Sequence, residues 1–440
     1  MTSFVLFMGS GAAQAQDVAA LAQLGKRVFF QNISDPPRQS CSTCHVPENG
    51  WTGGVAGFNR SIVAIPGANP HTIGGRKPPS ISYVTASPTF GNNPGRPNAC
   101  LGGASTTPLD CKGGVFWDGR AKGTQIGVEV FANTSPQLQA AYVGFLGPLA
   151  DQALGPFPND LEQGVPDGSD GGLPGAETVC RTVASSMYAP LFAQAWGTPI
   201  DCEPSAVAIS FKRIAVAISA WEHSTEVNSF SAKRDQALAA DADHAFPLSG
   251  LSAQENLGHD LFFGRARCSV CHNSAGAGAA GNEIDQTYTD NVYRNLGLPP
   301  NQEIANFDSN HPDALLFDTT QDVDHRGGAK TPGLRNVDKR RGNGFTKAYM
   351  HNGFFKSLDD VVHFYNTASA LPVCPSTVTT ADAARANNCW PAAEFPNNTS
   401  RGGANVGNLG LSAAEEAAIV AYLKTLSDTA TVAQPLPYVP

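Results

Sequence analysis

Apolar positions along the chain recur with helical rather than strand spacing. Val207, Phe211, Ile214, Ile218 and Trp221 follow one another at intervals of four, three, four and three, which lays one buried face along a helix from Ala206 to Trp221. Near the C-terminus Ile419, Tyr422, Leu423 and Leu426 share a face behind Ser412 and Glu415, spaced as a capping box. Ser252 and Glu255 make a second such box, ahead of a helix carrying Phe262 and Phe263. Further helices are predicted over Asp17–Gln31 and Thr178–Trp196. Between them, Gly50–Gly123 and Gly164–Gly175 are rich in turn-forming residues and read as loop. Gly276–Gly281, all Gly and Ala, reads as flexible, and a polar loop holds Cys374 and Cys389. Leu24-Gly25-Lys26-Arg27-Val28-Phe29-Phe30 returns as Leu257-Gly258-His259-Asp260-Leu261-Phe262-Phe263. The pattern predicts a mainly α fold in which one unit is used twice, with a boundary near residue 240.

Each copy of that frame leads into the same motif, Cys41-Ser42-Thr43-Cys44-His45 and Cys268-Ser269-Val270-Cys271-His272. Two thiols three apart with a histidine directly after the second is the spacing that attaches a c-type haem: the cysteines add to the vinyl groups and the imidazole ligates iron. A dithiol redox pair does not need that histidine, and a zinc site needs four ligands. Cys41, Cys44, His45, Cys268, Cys271 and His272 are therefore expected to hold two covalently bound haems.

Composition agrees with this reading. The 440 residues suffice for two or three domains. Charged residues are 15% and the net charge is -9 without a basic run, so the footprint of a nucleic-acid binder is missing. Glycine and proline, 45 and 32 residues, exceed their usual share and favour long loops. Of ten cysteines, six remain after the haem motifs, as three sequence-near pairs: Cys100 and Cys111, Cys180 and Cys202, Cys374 and Cys389. Nearest-neighbour disulfides are the simplest arrangement, and they suit an oxidising compartment such as the periplasm. Phe4–Met8 followed by Ala13-Gln14-Ala15 reads as the end of an export signal, although no Lys or Arg precedes Lys26. No stretch reads as a membrane anchor; the most apolar helix has Lys212-Arg213 at its centre. The expected domains are a signal remnant over 1–15, a first haem domain over 16–240 and a second over 241–440.

With one histidine on each iron, the opposite ligand decides function. A protein that only transfers electrons usually closes that position with Met or His. Methionines are scarce: Met1, Met8, Met187 and Met350.

Further motifs stand in order around the two haem sites: Phe116-Trp117-Asp118-Gly119-Arg120-Ala121, Gln152-Ala153-Leu154-Gly155-Pro156, Lys330-Thr331-Pro332-Gly333-Leu334-Arg335-Asn336 and Tyr349-Met350-His351-Asn352-Gly353. Together these resemble the bacterial dihaem cytochrome c peroxidase and MauG family over residues 20–427. The resemblance implies two cytochrome c-like haem domains whose haems face the domain interface, with Trp117 between them as a relay. Fourteen residues after His351, where the peroxidases proper carry a methionine ligand, stands Tyr365, similar to the MauG and MbnH subgroup. The resemblance places Gln152, Pro156 and Glu162 in the distal pocket of an open iron at His45, with Glu162 moving protons on peroxide. It implies a periplasmic enzyme that uses hydrogen peroxide to oxidise a Trp or Tyr on a partner protein. The rivals are a cytochrome c peroxidase fed by a small cytochrome c or copper protein, and a dihaem protein that only transfers electrons. The family's calcium would take carbonyls of Thr346 and Ala348, but Tyr83 stands where the family has Asn. Ala266 stands where MauG passes holes to its partner through Trp. His71 lies near where peroxidases carry a removable haem ligand; the alternative is a surface histidine.

Overall fold

The computed structural model describes residues 10–103, 105–166, 173–274, 283–305 and 307–435. The apolar run Phe4–Met8 and the Gly276–Gly281 segment lie outside them. Among the described residues the first half contributes helices α1 (Ser10–Phe30), α2 (Cys41–Cys44), α3 (Ala56–Arg60), α4 (Pro136–Tyr142), α5 (Pro148–Leu154), α6 (Ala176–Ala184), α7 (Ala189–Trp196) and α8 (Val207–Glu222). The second contributes α9 (Lys233–Ala240), α10 (Ala253–Phe263), α11 (Leu316–Thr320), α12 (Leu358–Thr367), α13 (Ala381–Ala386) and α14 (Ala413–Lys424). Two antiparallel ribbons complete the regular structure. β1 (Gly91–Asn92) pairs with β2 (Cys111–Lys112) in the register Gly91 to Lys112, and β3 (Tyr293–Arg294) pairs with β4 (Ala329–Lys330) in the register Tyr293 to Lys330. The fold is mainly α, as the periodicity predicts.

The repeated frame has a steric cause. In the first unit α1 crosses α8, and in the second α10 crosses α14. A Cβ built on Gly25 would stand 1.9 Å from the Ala217 carbonyl oxygen, and one on Gly258 2.0 Å from that of Ala418. Only glycine lets these backbones approach so closely. Around each crossing the partners correspond: Phe29 lies 4.6 Å from Trp221, and Phe262 lies 5.7 Å from Tyr422. The two crossings seed separate cores, one running from Ala20 to Val227 and one from Leu261 to Leu426.

Both capping boxes are present, with Ser252 and Ser412 accepting from the Glu255 and Glu415 backbones. The helix expected over Thr178–Trp196 is instead two, α6 and α7, separated by Ser185–Tyr188. Pro190 is the reason: it has no N–H to donate and its ring collides with the carbonyl one turn back, so it is tolerated only in the first turn of a new helix. Cys100–Cys111, Cys180–Cys202 and Cys374–Cys389 are bridged, the nearest-neighbour arrangement. Within the second half Arg234 of α9 donates to Glu283 at 2.6 Å; between the halves the Lys347 ammonium donates to the Asn49 carbonyl at 3.0 Å, and it also holds those of Asn336 and Lys339 at 2.8 and 2.9 Å.

Candidate haem and peroxide site

The Cys41–Cys44 segment forms the single turn of α2, and Cys268–Val270 a matching turn, so each pair of thiols precedes a histidine, His45 half-buried and His272 buried. His45 Nδ1 lies 3.1 Å from the Trp51 carbonyl oxygen and His272 Nδ1 3.1 Å from that of Tyr288. A carbonyl only accepts, so Nδ1 carries the proton and Nε2 the lone pair, the atom an iron would take. Burial pushes His45 down to about 4 and lowers His272 as well, keeping both imidazoles neutral. The four thiols are unbridged. Burial pushes Cys44 and Cys268 up to about 12, so they stay protonated.

Two cavities adjoin these motifs. The first, about 520 Å³, takes Cys44 and His45 into its wall; the second, about 160 Å³, takes Cys268, Cys271 and His272. They share Trp117, Lys330, Thr331, Pro332, His351 and Glu394. Trp117 is held between the units by main chain: its indole N–H donates to the Lys77 carbonyl at 2.8 Å, and its own carbonyl accepts from the Lys330 N–H at 2.9 Å. Lys77 and Lys330 each open a Lys-x-Pro run, and the carbonyls of Pro79 and Pro332 face His45 and His272. This second repeat is present in the sequence as Lys77-Pro78-Pro79 and Lys330-Thr331-Pro332, at different distances from the two haem motifs. Burial lowers the two ammonium groups to about 8 and about 7.

Glu162 and Gln152 line the first cavity together with Arg120. Glu162 Oε1 accepts from the Asn159 side chain at 2.7 Å. Burial raises its carboxyl, against the pull of the Arg120 guanidinium and of Asn159. Pro156 is not in the wall; its carbonyl accepts from the backbones of Asn159 and Gln163, closing the turn that presents Glu162. Arg120 lies 3.7 Å over the Phe116 ring and bonds Asp118 at 2.9 Å.

Tyr365, on α12, lines the second cavity with Met350 and Arg294. Burial raises its phenol, while Arg294 pulls it down. Met187 is 70% exposed and takes no part. His351 is buried in the wall common to both cavities, and neither ring nitrogen has a hydrogen-bond partner. In the sequence it is only a motif marker.

A loop from the second half closes the first cavity through Asn301, Ile304, Phe307 and Asp313. Arg76 fastens it, with two bonds of 2.6 Å to the Asp313 carboxylate. The partners are 237 residues apart, and no local pattern announces them. His71 is exposed and outside both cavities.

The residues fit two c-type haems: the first cavity has Cys44 and the second Cys268 and Cys271, each has a neutral imidazole with its lone pair on Nε2 and a mostly apolar wall, and the orphaned His351 lines both. The calcium residues assemble no comparable donor set. The Thr346 carbonyl accepts from Asn59 at 2.9 Å, the Tyr83 hydroxyl donates to Asp428 at 2.8 Å, and Lys347 places a buried ammonium between Thr346 and Ala348 in the chain.

Comparison with known proteins agrees. The model of the di-haem cytochrome c peroxidase family matches residues 19–243. Methylamine utilization protein MauG of Paracoccus denitrificans is 28% identical over 436 residues, covering 96% of this chain and 93% of that protein. Cytochrome-c peroxidase IdrP1 of Denitromonas iodatirespirans is 27% identical over 174 residues, 33% of this chain and 42% of its own. The diheme peroxidase BthA from Burkholderia thailandensis superposes with a TM-score of 0.63 at 24% identity, covering 93% of this chain and 86% of that one. With two haem motifs, two cavities and a tryptophan fixed between them, the chain belongs to the di-haem cytochrome c peroxidase family, haem-dependent oxidoreductases that take hydrogen peroxide as oxidant.

Proposed function

We propose that the protein is a periplasmic enzyme of MauG type, which directs the oxidising equivalents of hydrogen peroxide onto a Trp or Tyr of a partner protein. In this reading Cys41, Cys44 and His45 hold the haem that meets peroxide, and Cys268, Cys271, His272 and Tyr365 hold the second. When bound, the haems supply the peroxide chemistry and the storage of its two oxidising equivalents. The observation that carries the reading is Tyr365 in the wall of the His272 cavity. A phenolate is a hard anionic donor suited to oxidised iron, whereas a thioether favours the reduced metal.

The chain's own groups have definite tasks. Glu162 Oε2, the oxygen not held by Asn159, takes a proton from one peroxide oxygen and returns it to the other. Gln152 and Arg120 orient peroxide, and Pro156 positions the turn that carries Glu162. Trp117 links the two cavities through an indole whose N–H stays bonded to the Lys77 carbonyl. Three disulfides suit the periplasm, and among the described residues no helix is long and apolar enough to cross a membrane.

Met350 in the same cavity favours a second reading, a cytochrome c peroxidase with a thioether on its second haem and electrons from a small cytochrome c or copper protein. One experiment separates them. Stoichiometric peroxide is added to the diferric protein, and electronic absorption into the near infrared and EPR are followed in wild type, Tyr365→Phe and Met350→Leu. The MauG-type reading expects a long-lived oxidised state whose near-infrared charge-resonance band is lost in Tyr365→Phe and kept in Met350→Leu. Indifference to peroxide until the second haem is reduced, with a spectrum altered by Met350→Leu, would replace it with the second reading.

A further inference from the structure

Trp117 does not account for all of the oxidisable side chains close to the haem motifs. On the proximal side of His45, Trp51 offers its carbonyl to Nδ1. Its ring lies 5.6 Å from that of Trp221. Both indoles are 2% exposed. Phe29 fills the angle between them, 6.1 Å from Trp51 and 4.6 Å from Trp221. The Trp221 N–H then donates to Glu226 Oε2 at 3.2 Å, and that carboxylate is 41% exposed and bonded at 2.6 Å to the Lys26 ammonium. A continuous line thus runs from His45 through the Trp51 carbonyl, the two indoles and the Trp221 N–H to an acid at the surface.

What distinguishes Trp221 is the group that receives its proton. The N–H of Trp117 donates to the Lys77 amide carbonyl, and that of Trp390 to the Thr367 hydroxyl, neither of which is a base. An indole that loses an electron there remains a cation and hands the hole on. At Trp221 a carboxylate can remove the proton, leaving a neutral radical that persists. The second unit lacks this arrangement. Tyr288 and Tyr422, which stand where Trp51 and Trp221 do, bond each other at 2.8 Å. Arg234 lies 5.8 Å and Arg335 5.7 Å from the Tyr288 ring, and their positive charge disfavours a hole.

We infer that Trp221 is a second station for oxidising equivalents, fed from the His45 haem through Trp51, with Glu226 as its proton acceptor. In this step Trp221 loses one electron toward the haem, which consumes one of the two equivalents supplied by peroxide. Its N–H bond breaks, and the proton forms an O–H bond on Glu226. An external one-electron donor together with that proton restores the indole.

The test is EPR of the holoprotein frozen after one equivalent of hydrogen peroxide, made with ordinary and with ring-deuterated tryptophan. An organic radical whose hyperfine structure collapses on deuteration is expected, absent in Trp221→Phe and several-fold weaker in Glu226→Gln. Peptide mapping after repeated peroxide exposure should find Trp221 oxygenated in wild type and protected in Trp51→Phe. A radical of undiminished yield in Trp221→Phe, one insensitive to tryptophan deuteration, or no radical in wild type would overturn the inference. If Trp221→Phe fails to fold, Glu226→Gln still decides, since it keeps the volume and the exposed position; unchanged yield there removes the proton acceptor and the inference with it.

Discussion

Substituting the glycine at one helix crossing tests whether the repeated frame is architectural. In Gly258→Ala the new Cβ would meet the Ala418 oxygen at 2.0 Å, its carbonyl carbon at 2.7 Å and Tyr422 Cβ at 2.8 Å. Carbon atoms pack best at roughly 3.5–4.0 Å, so α10 and α14 must part by about 1 Å, which forfeits roughly a quarter to a half of each dispersion contact across the crossing. Overpacking of this kind costs about 1–3 kcal/mol, and since the obstacle is main chain, which cannot rotate aside, the upper end applies. Alanine returns up to about 1 kcal/mol of helix propensity. The net expectation is a loss of about 2 kcal/mol, or roughly 4–8 °C in Tm for a unit of about 150–250 residues. Thermal unfolding of the holoprotein, followed by far-ultraviolet circular dichroism and by haem absorption, measures it. Gly57→Ala in α3 is the control: nothing lies within 4 Å of its Cβ, so Tm should hold or rise. A Gly258→Ala protein as stable as wild type would refute the claim that the glycine sets the crossing.

Other expectations concern chemistry and charge. Glu162→Gln should slow the reaction with peroxide by about 10²–10⁴-fold in stopped-flow absorption; an unchanged rate would remove Glu162 from the proton step. Glu222 is buried near Cys41, and burial raises its carboxyl from 4.5 to about 8. The folded state therefore binds that proton more tightly than the unfolded one, and stability is lost as pH rises from about 4.5 through about 8. Glu222→Gln should raise Tm at the upper end of that window and leave it unchanged at the lower, so an equal effect at both ends would contradict the assignment. Replacing Cys374 and Cys389 with Ser opens a loop of 15 residues and should cost about 3 kcal/mol in urea unfolding. Lys347→Met would leave the Asn49 and Lys339 carbonyls short of a donor, while that of Asn336 keeps the Lys339 N–H, and should cost roughly 3 kcal/mol in the same assay.

The sequence discloses what is local. The haem motifs and the capping residues at Ser252 and Ser412 each express a requirement met within a few residues, and the glycine frame, whose partners Ala217 and Ala418 lie far along the chain, is legible because it repeats. The break ahead of α7 is equally legible, since Pro190 cannot stand inside a helix. Other features depend on pairs that only the fold brings together. Arg76 reaches Asp313, Trp221 reaches Trp51, and the nitrogens of His351 come to lie between two cavities; no periodicity records such encounters. Its motif alone puts Pro156 in the pocket wall, whereas its carbonyl is what organises the turn beneath Glu162.

The attachment of Trp117 has an implication for how such a chain can vary. Both hydrogen bonds that fix the indole and its backbone come from peptide groups, the carbonyl of Lys77 and the N–H of Lys330. Exchanging the side chains at 77 and 330 therefore retunes the charge beside each cavity, including the Lys77 ammonium 5.7 Å over the indole, while both hydrogen bonds stay in place. Position and potential are under separate control, so selection can adjust the oxidising power of this protein while the distance between its two centres stays the same.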